Sequence, residues 1–415
     1  MHADAGRRHA TLDDALGAWL AGALPLAEEA IPAAAAGRRV LARPVRAWRD
    51  VPGVALAGVD GFAVAHAGAV AAGTRWALAD GGERVAADAA WPVSTGDRLP
   101  AGTGTVVPVE ATARDGRTVV ALRDVAAGVG VRRAGSALAA DVEVESAGDT
   151  VTPERLPALL AAAGGRAALV GAQPHVHLLG VGNELADPGR APEDGQLVAM
   201  AAPAVALRAQ EDGALARWLP AVPDDAEILA AALARAAASA HVVVVTGGLS
   251  GPGGGTTRAV LARVGARVLF DGLRVRPGRP SLGARLGDAY ILAVPSSPVA
   301  ALLVWELLGR PLVARLAGAA WPAALTATLA APVERTPMAD DRYLRASAYV
   351  GEGRLWLAVD PVPDAGTLAS LARTDAWMRL PAGRAGLAQG DLVEALVSRV
   401  PTAAPPSWAG PVGRV

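Results

Sequence analysis

The stretch HVVVVTGGLSG at 241–251 combines four consecutive valines with a glycine turn. The valine run has the length and the β-branching of a buried strand, and the glycines predict a sharp turn where that strand ends. Such a turn leaves backbone N–H groups facing outward, and these groups bind anions. Because glycine turns also serve as plain connections, this segment alone indicates either an anion site or a simple link between two elements.

Arginine is the second residue type in this chain that suits an oxyanion. The chain contains no lysine, so each of its 39 Lys and Arg residues is an arginine. Arginine binds oxyanions through paired hydrogen bonds, but it cannot act as an amine nucleophile or form a Schiff base. There is also no cysteine. Thiol nucleophiles, disulfides and thiolate metal sites are therefore excluded, and the composition fits a cytoplasmic protein.

Composition predicts a multidomain protein that binds neither nucleic acid nor membrane. The 415 residues suggest about two to four domains. Hydrophobic residues make up 52% and aromatic residues 4%, so the cores should consist largely of Ala, Val and Leu. A net charge of −1 without a long basic run argues against a nucleic acid partner. The most apolar stretch, 226–247, is interrupted by Arg235, Ser239 and His241, so membrane insertion is not expected.

The first 173 residues predict an α-containing segment with a β-rich insertion. A helix is expected to begin near Thr11, because Asp13 and Asp14 in its first turn suit the helix dipole. From about 45 to 140, β-like pieces such as RWALAD and RTVVALRDV alternate with Gly- and Asp-rich turns. Helical sequence returns at 152–165, with Thr152 as N-cap and Pro153 at the first helical position. We assign 1–45 with 140–173 to an α-containing linker domain, and 46–139 to the inserted β-rich domain.

From 174 to about 318 the pattern of strand, turn and helix repeats. The segments are HVHLLGVGNEL, HVVVVTGGLSG and AYILAVPSSPVAALLVWELLG. This pattern is typical of a mostly parallel α/β sheet, whose ligands bind beyond the carboxyl ends of the strands. All three turns should therefore lie at one edge. The predicted fold class is α/β multidomain, with an α/β domain at 174–325 and a C-terminal β-rich domain at 326–415.

Seven segments occur in the order and spacing of a known enzyme family. They are GVDGFAV (58–64), VSTGDRLPAGTGTVVPVE (93–110), VRRAGSALAADV (131–142), GVGNEL (180–185), TGGLSGPGGGTTRAVL (246–261), VRPGRPSLG (275–283) and PSSPVAAL (295–302). The chain resembles the molybdopterin molybdenumtransferases, the bacterial family to which the E domain of gephyrin also belongs, over nearly its whole length. The resemblance implies insertion of molybdate into adenylylated molybdopterin with release of AMP, assisted by Mg²⁺. It also implies a homodimer whose site is shared between subunits, and partners among other molybdenum-cofactor biosynthesis proteins.

Three residues match positions to which the family gives catalytic roles: Asp60, Thr95 and Glu184. Asp60 would face the active site across the dimer, although an Asp-Gly turn between strands gives the same pattern. The hydroxyl of Thr95 could donate to a phosphate. Glu184 would bind Mg²⁺ or a pterin amine, since hard oxygen ligands suit both; the alternative is an acid in the first turn of a helix.

Two further groups follow from the resemblance. The residues implied to bind the phosphate and pterin part of the substrate are Gly247, Gly248, Ser250, Ser297 and Pro298. Ser297 could also cap the following helix, with Pro298 at its first position. The residues implied to bind molybdate are Arg276, Arg279, Pro280, Arg345 and Ser370. Tungstate has the same shape and charge as molybdate, and the sequence does not separate the two.

The chain departs from the family at several acidic positions. Asn183, Ser136, Ala137, His241 and Gly255 stand where the family has acids. These losses motivate an alternative, a catalytically impaired paralogue that binds a pterin or an oxyanion, or that partners the active enzyme. On that hypothesis, aspartate restored at His241 and Gly255 should create activity.

Overall fold

The computed structural model describes residues 9–80, 83–250, 254–321, 324–361, 368–403 and 405–406. The chain divides into two compact units, one formed by 28–170 and the other by 1–27 together with 171–415. Among the described residues, no helix combines the length and hydropathy needed to cross a bilayer. The second unit contains most of the residues that the sequence singles out for chemistry.

The unit 28–170 is a β-rich body whose cores contain mainly valine and alanine. Its largest sheet has six strands, in the order Thr105–Pro108, Gly61–Val64, Ala89–Val93, Arg75–Leu78, Thr118–Ala121 and Thr112–Asp115. Short strand pairs accompany this sheet: Glu28–Pro32 with Ala167–Gly171, Val45–Arg46 with Glu143–Glu145, and Leu56–Ala57 with Val131–Arg132. Helical elements of this unit are Ala33–Ala35, Val109–Ala111 and Leu156–Ala163.

The helix expected from Thr152 begins three residues later than predicted. Thr152 is not its N-cap, because the backbone amides of Arg155 and Leu156 both donate to the Thr152 carbonyl in a turn that precedes the helix Leu156–Ala163. The reason is Pro157, which lies in the first helical turn and has no N–H to bond a carbonyl four residues earlier. The end agrees with the prediction, since Gly164 closes the helix at φ 55°.

The second unit holds the α/β sheet that the sequence predicts. Its six strands lie in the order Leu215–Trp218, His175–Val181, Val242–Gly247, Ala289–Val294, Leu282–Leu286 and Arg267–Asp271. The first four strands are mutually parallel, and Leu282–Leu286 runs antiparallel to both of its neighbours. The expected mostly parallel sheet is therefore confirmed. The central strands are buried on both faces, which explains their continuous apolar runs in the sequence.

Helices cover this sheet on both faces: Leu12–Leu20, Ala201–Glu211, Ala226–Ala237, Thr256–Arg263, Pro298–Val304 and Arg310–Ala317. A π-helical segment, Trp305–Gly309, joins the last two. The N-terminal helix begins as predicted, because the Thr11 hydroxyl accepts from the Asp14 amide at 3.1 Å. Its Trp19 packs edge-on against Phe270 and Tyr290 in the core.

The C-terminal sheet closes into a small barrel. Its strands follow the order Val275–Arg276, Asp341–Gly351, Arg354–Val359, Leu325–Leu329, Leu392–Val397 and Ala376–Leu380, and the last also pairs with Asp341–Gly351. The remaining pairs in this unit are Val333–Glu334 with Gly386–Leu387, and Leu185–Ala186 with Leu197–Val198; the helix Leu368–Ala372 completes it. The strand Val275–Arg276 comes from the α/β part of the chain, and its register sets Arg276 beside Arg342.

Candidate functional site

The carboxyl ends of the three central parallel strands lie at one edge of the α/β sheet. The register pairs Val181 with Gly247 and Thr246 with Val294, so the turns that follow these strands start side by side. A cavity of about 280 Å³ opens there, which we call the sheet-edge cavity. Its polar lining consists of Glu184, Thr246, Ser296 and Ser297, and Pro298 also lines it. The predicted gathering of the turns at one edge is therefore observed, and ligands of such sheets bind at this position.

Glu184 lies in an exposed turn between His175–Val181 and the short strand Leu185–Ala186. It is not in the first turn of a helix, so the alternative explanation of this acid is wrong. Its neighbour Asn183, which stands where the family has an acid, accepts a hydrogen bond from the Asp224 amide at 3.0 Å. The amide side chain therefore holds a loop, and Glu184 supplies the carboxylate of the sheet-edge cavity.

The turn after the valine strand requires its glycines. Gly247 has φ 101° and Gly248 has φ 63°, both in the region that favours glycine. A Cβ atom on Gly247 would lie 2.3 Å from the Val181 carbonyl oxygen, and one on Gly248 would lie 2.4 Å from the Thr257 hydroxyl. Thr257 holds the turn through its amide, which donates to Gly248 at 2.9 Å, and its hydroxyl, which donates to Gly247 at 3.0 Å. Ser250 is exposed, and 251–253 lie outside the described residues.

Ser297 occupies the N-cap position of the helix Pro298–Val304, and Pro298 is at the first helical position as predicted. The expected capping bond is wrong, however, because the Ser297 side chain makes no cap hydrogen bond within the described part of the chain. Pro298 does not account for this, since a cap side chain bonds the amides two or three residues further on, and Val299 and Ala300 both have them. The Ser297 hydroxyl instead lines the sheet-edge cavity.

A second cavity, of about 360 Å³, contains five arginines: Arg276, Arg279, Arg335, Arg342 and Arg345. We call it the arginine pocket. The α/β part supplies the loop 276–280, including Pro280, and the C-terminal part supplies the other three arginines together with Asp360. The sequence singled out Arg276, Arg279, Pro280 and Arg345 as one group, and the structure brings these four to one cavity.

One carboxylate and one hydroxyl group orient these arginines. The Asp340 carboxylate lies 2.9 Å from Nε of Arg276 and 3.7 Å from Nε of Arg279. Arg345 is buried, and its Nε donates to the hydroxyl of the fully buried Ser370 at 2.6 Å. Ser370 therefore acts on the pocket through Arg345, and hydrogen bonds fix the guanidinium planes before any ligand arrives.

Positive charge is crowded in this pocket. Burial lowers the pKa of Arg342, and the charges of Arg335 and Arg276 lower it further. A guanidinium whose neighbours oppose its charge gains from any anion that enters, because the anion relieves the repulsion. Sequence reasoning missed Arg335 and Arg342. The segment VERTPMADDRYLRAS does contain all three C-terminal arginines of the pocket, but no local pattern shows that they converge.

The two cavities are neighbours through the short helix Leu368–Ala372. Leu368 lines the sheet-edge cavity, and Ser370, two residues later, bonds Arg345 of the arginine pocket. One face of this helix thus borders a site with a carboxylate and hydroxyl groups, while its buried serine supports a site rich in arginine. Such an arrangement suits a ligand that carries a polar heterocycle with phosphate, placed beside a second, smaller oxyanion.

Asp60 and Thr95 belong to the other unit, where they bind each other. The Asp60 carboxylate accepts from the Thr95 amide at 2.6 Å and from its hydroxyl at 2.9 Å. These two bonds, the amide first, lower the pKa of the exposed Asp60. Asp60 sits on a bend before the strand Gly61–Val64, which pairs with Ala89–Val93 and Thr105–Pro108 and forms no hairpin across the bend. Asp60 is therefore a surface carboxylate that keeps its charge into acidic solution.

The variant Thr95→Val should raise the pKa of Asp60 toward its ordinary value, because one of the two hydrogen bonds disappears. In the wild type, a depressed folded-state pKa means that these bonds stabilise the fold above the ordinary pKa of the carboxyl. That contribution is lost as pH falls through the depressed value. NMR titration of the Asp60 carboxyl carbon would measure the change. The control is Thr74→Val, whose hydroxyl bonds the Ala71 carbonyl; an unshifted Asp60 in Thr95→Val would contradict the assignment.

His241 does not lie at the sheet edge that holds the glycine turn. It precedes the valine strand, so it sits at the opposite end of Val242–Gly247, about 20 Å away at roughly 3.3 Å per residue. Its Nδ1 accepts from the His175 amide at 2.9 Å, and burial followed by the charge of His175 lowers its pKa. The hypothesis that an acid was lost from the site at this position is therefore wrong.

The backbone at Gly255 excludes the aspartate that the family pattern suggests. Gly255 has φ 92°, and its Cβ would lie 2.2 Å from the Gly248 carbonyl oxygen. Gly255→Asp should therefore lose stability and gain no turnover. Gly265→Asp is the matched control, since Gly265 also has positive φ but meets nothing within 4 Å. We expect Gly255→Asp to cost about 1–3 kcal/mol more than the control in denaturant unfolding; equal costs would show that the turn adapts.

The magnesium implied by the resemblance would meet a single carboxylate. Among the described residues, no group of three or more His, Cys, Asp or Glu side chains could hold a metal ion together. Magnesium is commonly held by one or two carboxylates and by the phosphates of a substrate. Glu184, which lines the same cavity as Ser296 and Ser297, could bind a magnesium ion that arrives with the substrate phosphates. A single carboxylate is too few for a metal centre that the protein holds by itself.

Three segments of the chain match protein-family models. Residues 10–164 match the MoeA N-terminal region (domain I and II), 177–315 match a probable molybdopterin binding domain, and 326–397 match the MoeA C-terminal region (domain IV). A molybdopterin molybdenumtransferase of Synechococcus elongatus is 31% identical over 295 residues, which cover 70% of this chain and 71% of that protein. Molybdopterin molybdenumtransferase 1 of Mycobacterium tuberculosis is 28% identical over 300 residues, which cover 70% of this chain and 69% of that protein.

A solved structure has a similar fold. It is the crystal structure of a molybdopterin biosynthesis MoeA protein from Pyrococcus horikosii, with a TM-score of 0.78 and 23% sequence identity. The similarity covers 95% of this chain and 100% of the Pyrococcus chain.

Proposed function

The chain belongs to the molybdopterin molybdenumtransferase family of molybdenum cofactor biosynthesis, and from this premise we propose that it inserts molybdate into adenylylated molybdopterin and releases AMP. The observation that carries the proposal is the arginine pocket beside the sheet-edge cavity. The reaction joins a tetrahedral oxyanion to a phosphate-bearing pterin. The cationic cavity suits the oxyanion in charge, and the other cavity offers hydroxyl donors for a phosphate and a carboxylate acceptor for a pterin amine.

In this proposal the arginine pocket binds molybdate. Arg276, Arg279 and Arg345 are oriented by Asp340 and Ser370, and Arg342 is destabilised by its neighbours until an anion enters. Each charge-assisted hydrogen bond to the dianion contributes about 1.5–3 kcal/mol. Because tungstate has the same shape and charge, the pocket should bind both oxyanions.

The sheet-edge cavity then binds the nucleotide-linked pterin. Thr246, Ser296 and Ser297 offer hydroxyls to a phosphate. Gly247 and Gly248, which the resemblance implies as phosphate ligands, directly follow Thr246 but do not line the cavity. Glu184 accepts from a pterin amine or completes the shell of a magnesium ion that arrives on the phosphates. Magnesium would supply charge stabilisation for the departing AMP. The chain itself contributes positioning and fixed electrostatics.

The proposal includes a cytoplasmic homodimer in which Asp60 and Thr95 of one subunit complete the site of the other. Mixing two inactive variants, Asp60→Asn and Arg345→Gln, tests this arrangement. Randomly exchanged dimers with shared sites should recover up to about a quarter of wild-type turnover, because half the dimers are mixed and each has one intact site. No recovery after verified subunit exchange would contradict a shared site.

A second candidate is an impaired paralogue that binds a pterin or oxyanion without turnover, or that partners the active enzyme. Asn183 favours it, since a family acid at the sheet edge has become a loop-holding amide. Ala137 adds little, because it is exposed in the other unit and its amide bonds the Val51 carbonyl.

One experiment separates the two candidates. Equilibrium binding of adenylylated molybdopterin to the purified protein is measured first, and AMP release is followed in the same sample after addition of molybdate and magnesium. Binding with release supports the transferase, and binding without release supports the impaired paralogue. Absence of binding contradicts the transferase and leaves only the form of the second candidate that binds an oxyanion or partners the active enzyme. Glu184→Gln serves as the site variant, and Glu193→Gln, in an exposed loop, is its control.

A further inference from the structure

Arg258 makes an unusual set of hydrogen bonds for a side chain outside both cavities. Its Nε donates to the Asp271 carboxylate at 2.8 Å. Its Nη1 donates to the carbonyls of Leu249 and Gly254, each at 2.8 Å, and its Nη2 donates to the Pro280 carbonyl at 2.6 Å. The side chain is 10% exposed, so these bonds form largely out of contact with water. Four of its five N–H donors are thus accounted for.

The acceptors of Arg258 belong to the two loops that carry the proposed chemistry. Leu249 and Gly254 both belong to the segment between the strand Val242–Gly247 and the helix Thr256–Arg263, which contains the glycine turn. Pro280 ends the loop that supplies Arg276 and Arg279 to the arginine pocket. A single guanidinium therefore bonds both the segment of the glycine turn and the arginine loop.

The geometry of this contact depends on arginine. A guanidinium is planar and directs its donors in fixed directions, so carbonyls on two loops can be held at a set separation. A lysine ammonium has one nitrogen and cannot reach acceptors that are spread around the edge of a guanidinium. Thr257, the preceding residue, bonds only the turn, through Gly247 and Gly248 among the contacts of the described residues. Arg258, in the same first turn of the helix, also bonds the arginine loop through the Pro280 carbonyl.

We propose that Arg258 is a positioning residue that fixes the distance between the glycine turn and the arginine loop. An oxyanion held by the arginine loop then lies in line with the nucleotide-linked substrate held at the turn. This inference rests on the proposed function, because it assigns Arg258 to the step in which the two bound reactants meet. Misplacement of bound reactants by about 1 Å can cost on the order of 100-fold in rate.

The test compares Arg258→Lys with Arg263→Lys. Both arginines lie on the helix Thr256–Arg263, but Arg263 is exposed and pairs with Glu227 at the surface. For Arg258→Lys we expect kcat for AMP release to fall about 10- to 100-fold, while the separately measured affinities for molybdate and for adenylylated molybdopterin change by less than about 3-fold. Arg263→Lys should match the wild type. A fall in one affinity that accounts for the whole loss would overturn the positioning role.

Amide hydrogen exchange tests the tether without turnover. The amide of Leu273 donates to Arg279 at 2.8 Å and that of Ser281 to Gly278 at 3.0 Å, so both report on the arginine loop. The Thr257 amide reports on the glycine turn. Arg258→Lys should speed exchange in both segments, and Arg263→Lys in neither. Unchanged exchange in the arginine loop would overturn the proposal. If the wild type releases no AMP, the proposed function fails and exchange alone decides the role of Arg258.

Discussion

The variant Arg342→Gln is expected to lose oxyanion affinity while its thermal stability stays the same or rises. In the wild type, burial and the charges of Arg335 and Arg276 oppose the charge of Arg342. Removing that charge relieves repulsion in the empty protein but deletes one charge-assisted bond to a bound dianion. That bond is worth about 1.5–3 kcal/mol, so the Kd for molybdate should rise roughly 10- to 150-fold. Titration calorimetry with molybdate and a thermal melt of the same sample measure both quantities.

The control for this prediction is Arg354→Gln. Arg354 is an exposed arginine on the neighbouring strand Arg354–Val359 and does not line the pocket. It should change neither the molybdate Kd nor the melting temperature appreciably. If Arg342→Gln bound molybdate as tightly as this control, Arg342 would be a surface charge and the pocket would depend on the other arginines. If it lost both affinity and stability, its contact with the Thr336 carbonyl would be its main role.

A fall in molybdate affinity without a fall in thermal stability would distinguish a ligand site from a cluster of charges that stabilises the fold. Arginines that hold a fold together are paired with acids, as Arg208 is with Glu306. Arg342 donates to a carbonyl and faces other arginines, which is unfavourable without a ligand. Functional sites commonly retain such local instability, because the residues are selected for the bound state.

Local patterns in the sequence predicted the elements that present the site. Four valines and a threonine followed by two glycines specify a buried strand and a tight turn by themselves, and the structure has that strand at Val242–Gly247. The same reasoning placed three such turns at one sheet edge, because parallel strands share the direction of their carboxyl ends. Those inferences needed no knowledge of distant contacts.

Register and capping could not be predicted in the same way. The pairing of Arg276 with Arg342 joins residues far apart in sequence, and no local periodicity specifies it. For the same reason the sequence did not reveal that Arg335 and Arg342 share a cavity with Arg345. The caps expected at Thr152 and Ser297 were wrong for other reasons: the helix after Thr152 begins only at Leu156, with Pro157 in its first turn, and nothing in the described structure explains the missing bond at Ser297.

The departures from the family pattern carry unequal weight once the fold is known. His241 lies at the far end of its strand from the glycine turn, so an acid there would not reach the sheet-edge cavity. The backbone at Gly255 leaves no room for the Cβ atom of an aspartate, so this turn requires glycine there. Asn183, next to Glu184, is therefore the remaining position at the sheet edge where an acid of the family pattern is missing. The case for an impaired paralogue therefore depends mainly on whether one carboxylate at the sheet edge suffices for turnover.

Loss of the Glu306 carboxylate should cause the largest drop in stability. Glu306 lies in the π-helical segment Trp305–Gly309 with 3% of its side chain exposed. It accepts from Arg208 at 2.8 Å, from Arg310 at 3.1 Å and from the Ser398 hydroxyl at 3.1 Å. Glu306→Leu leaves the largely buried Arg208 without its main counter-charge, which costs about 3–5 kcal/mol. Urea unfolding followed by tryptophan fluorescence should show the shift.

Glu227→Leu is the matched control for that measurement, because it also removes a glutamate from an Arg–Glu pair. Glu227 and Arg263 are exposed by 82% and 45%, so breaking this pair should cost less than about 1 kcal/mol. Equal effects of the two variants would show that burial does not strengthen the Glu306 network.

Loss of Glu306 should also affect the arginine pocket. Glu306 belongs to the α/β part, and it bonds Ser398, which follows the last strand of the C-terminal sheet. The arginine pocket takes residues from both parts, so Glu306→Leu should weaken molybdate binding even though Glu306 does not line that pocket.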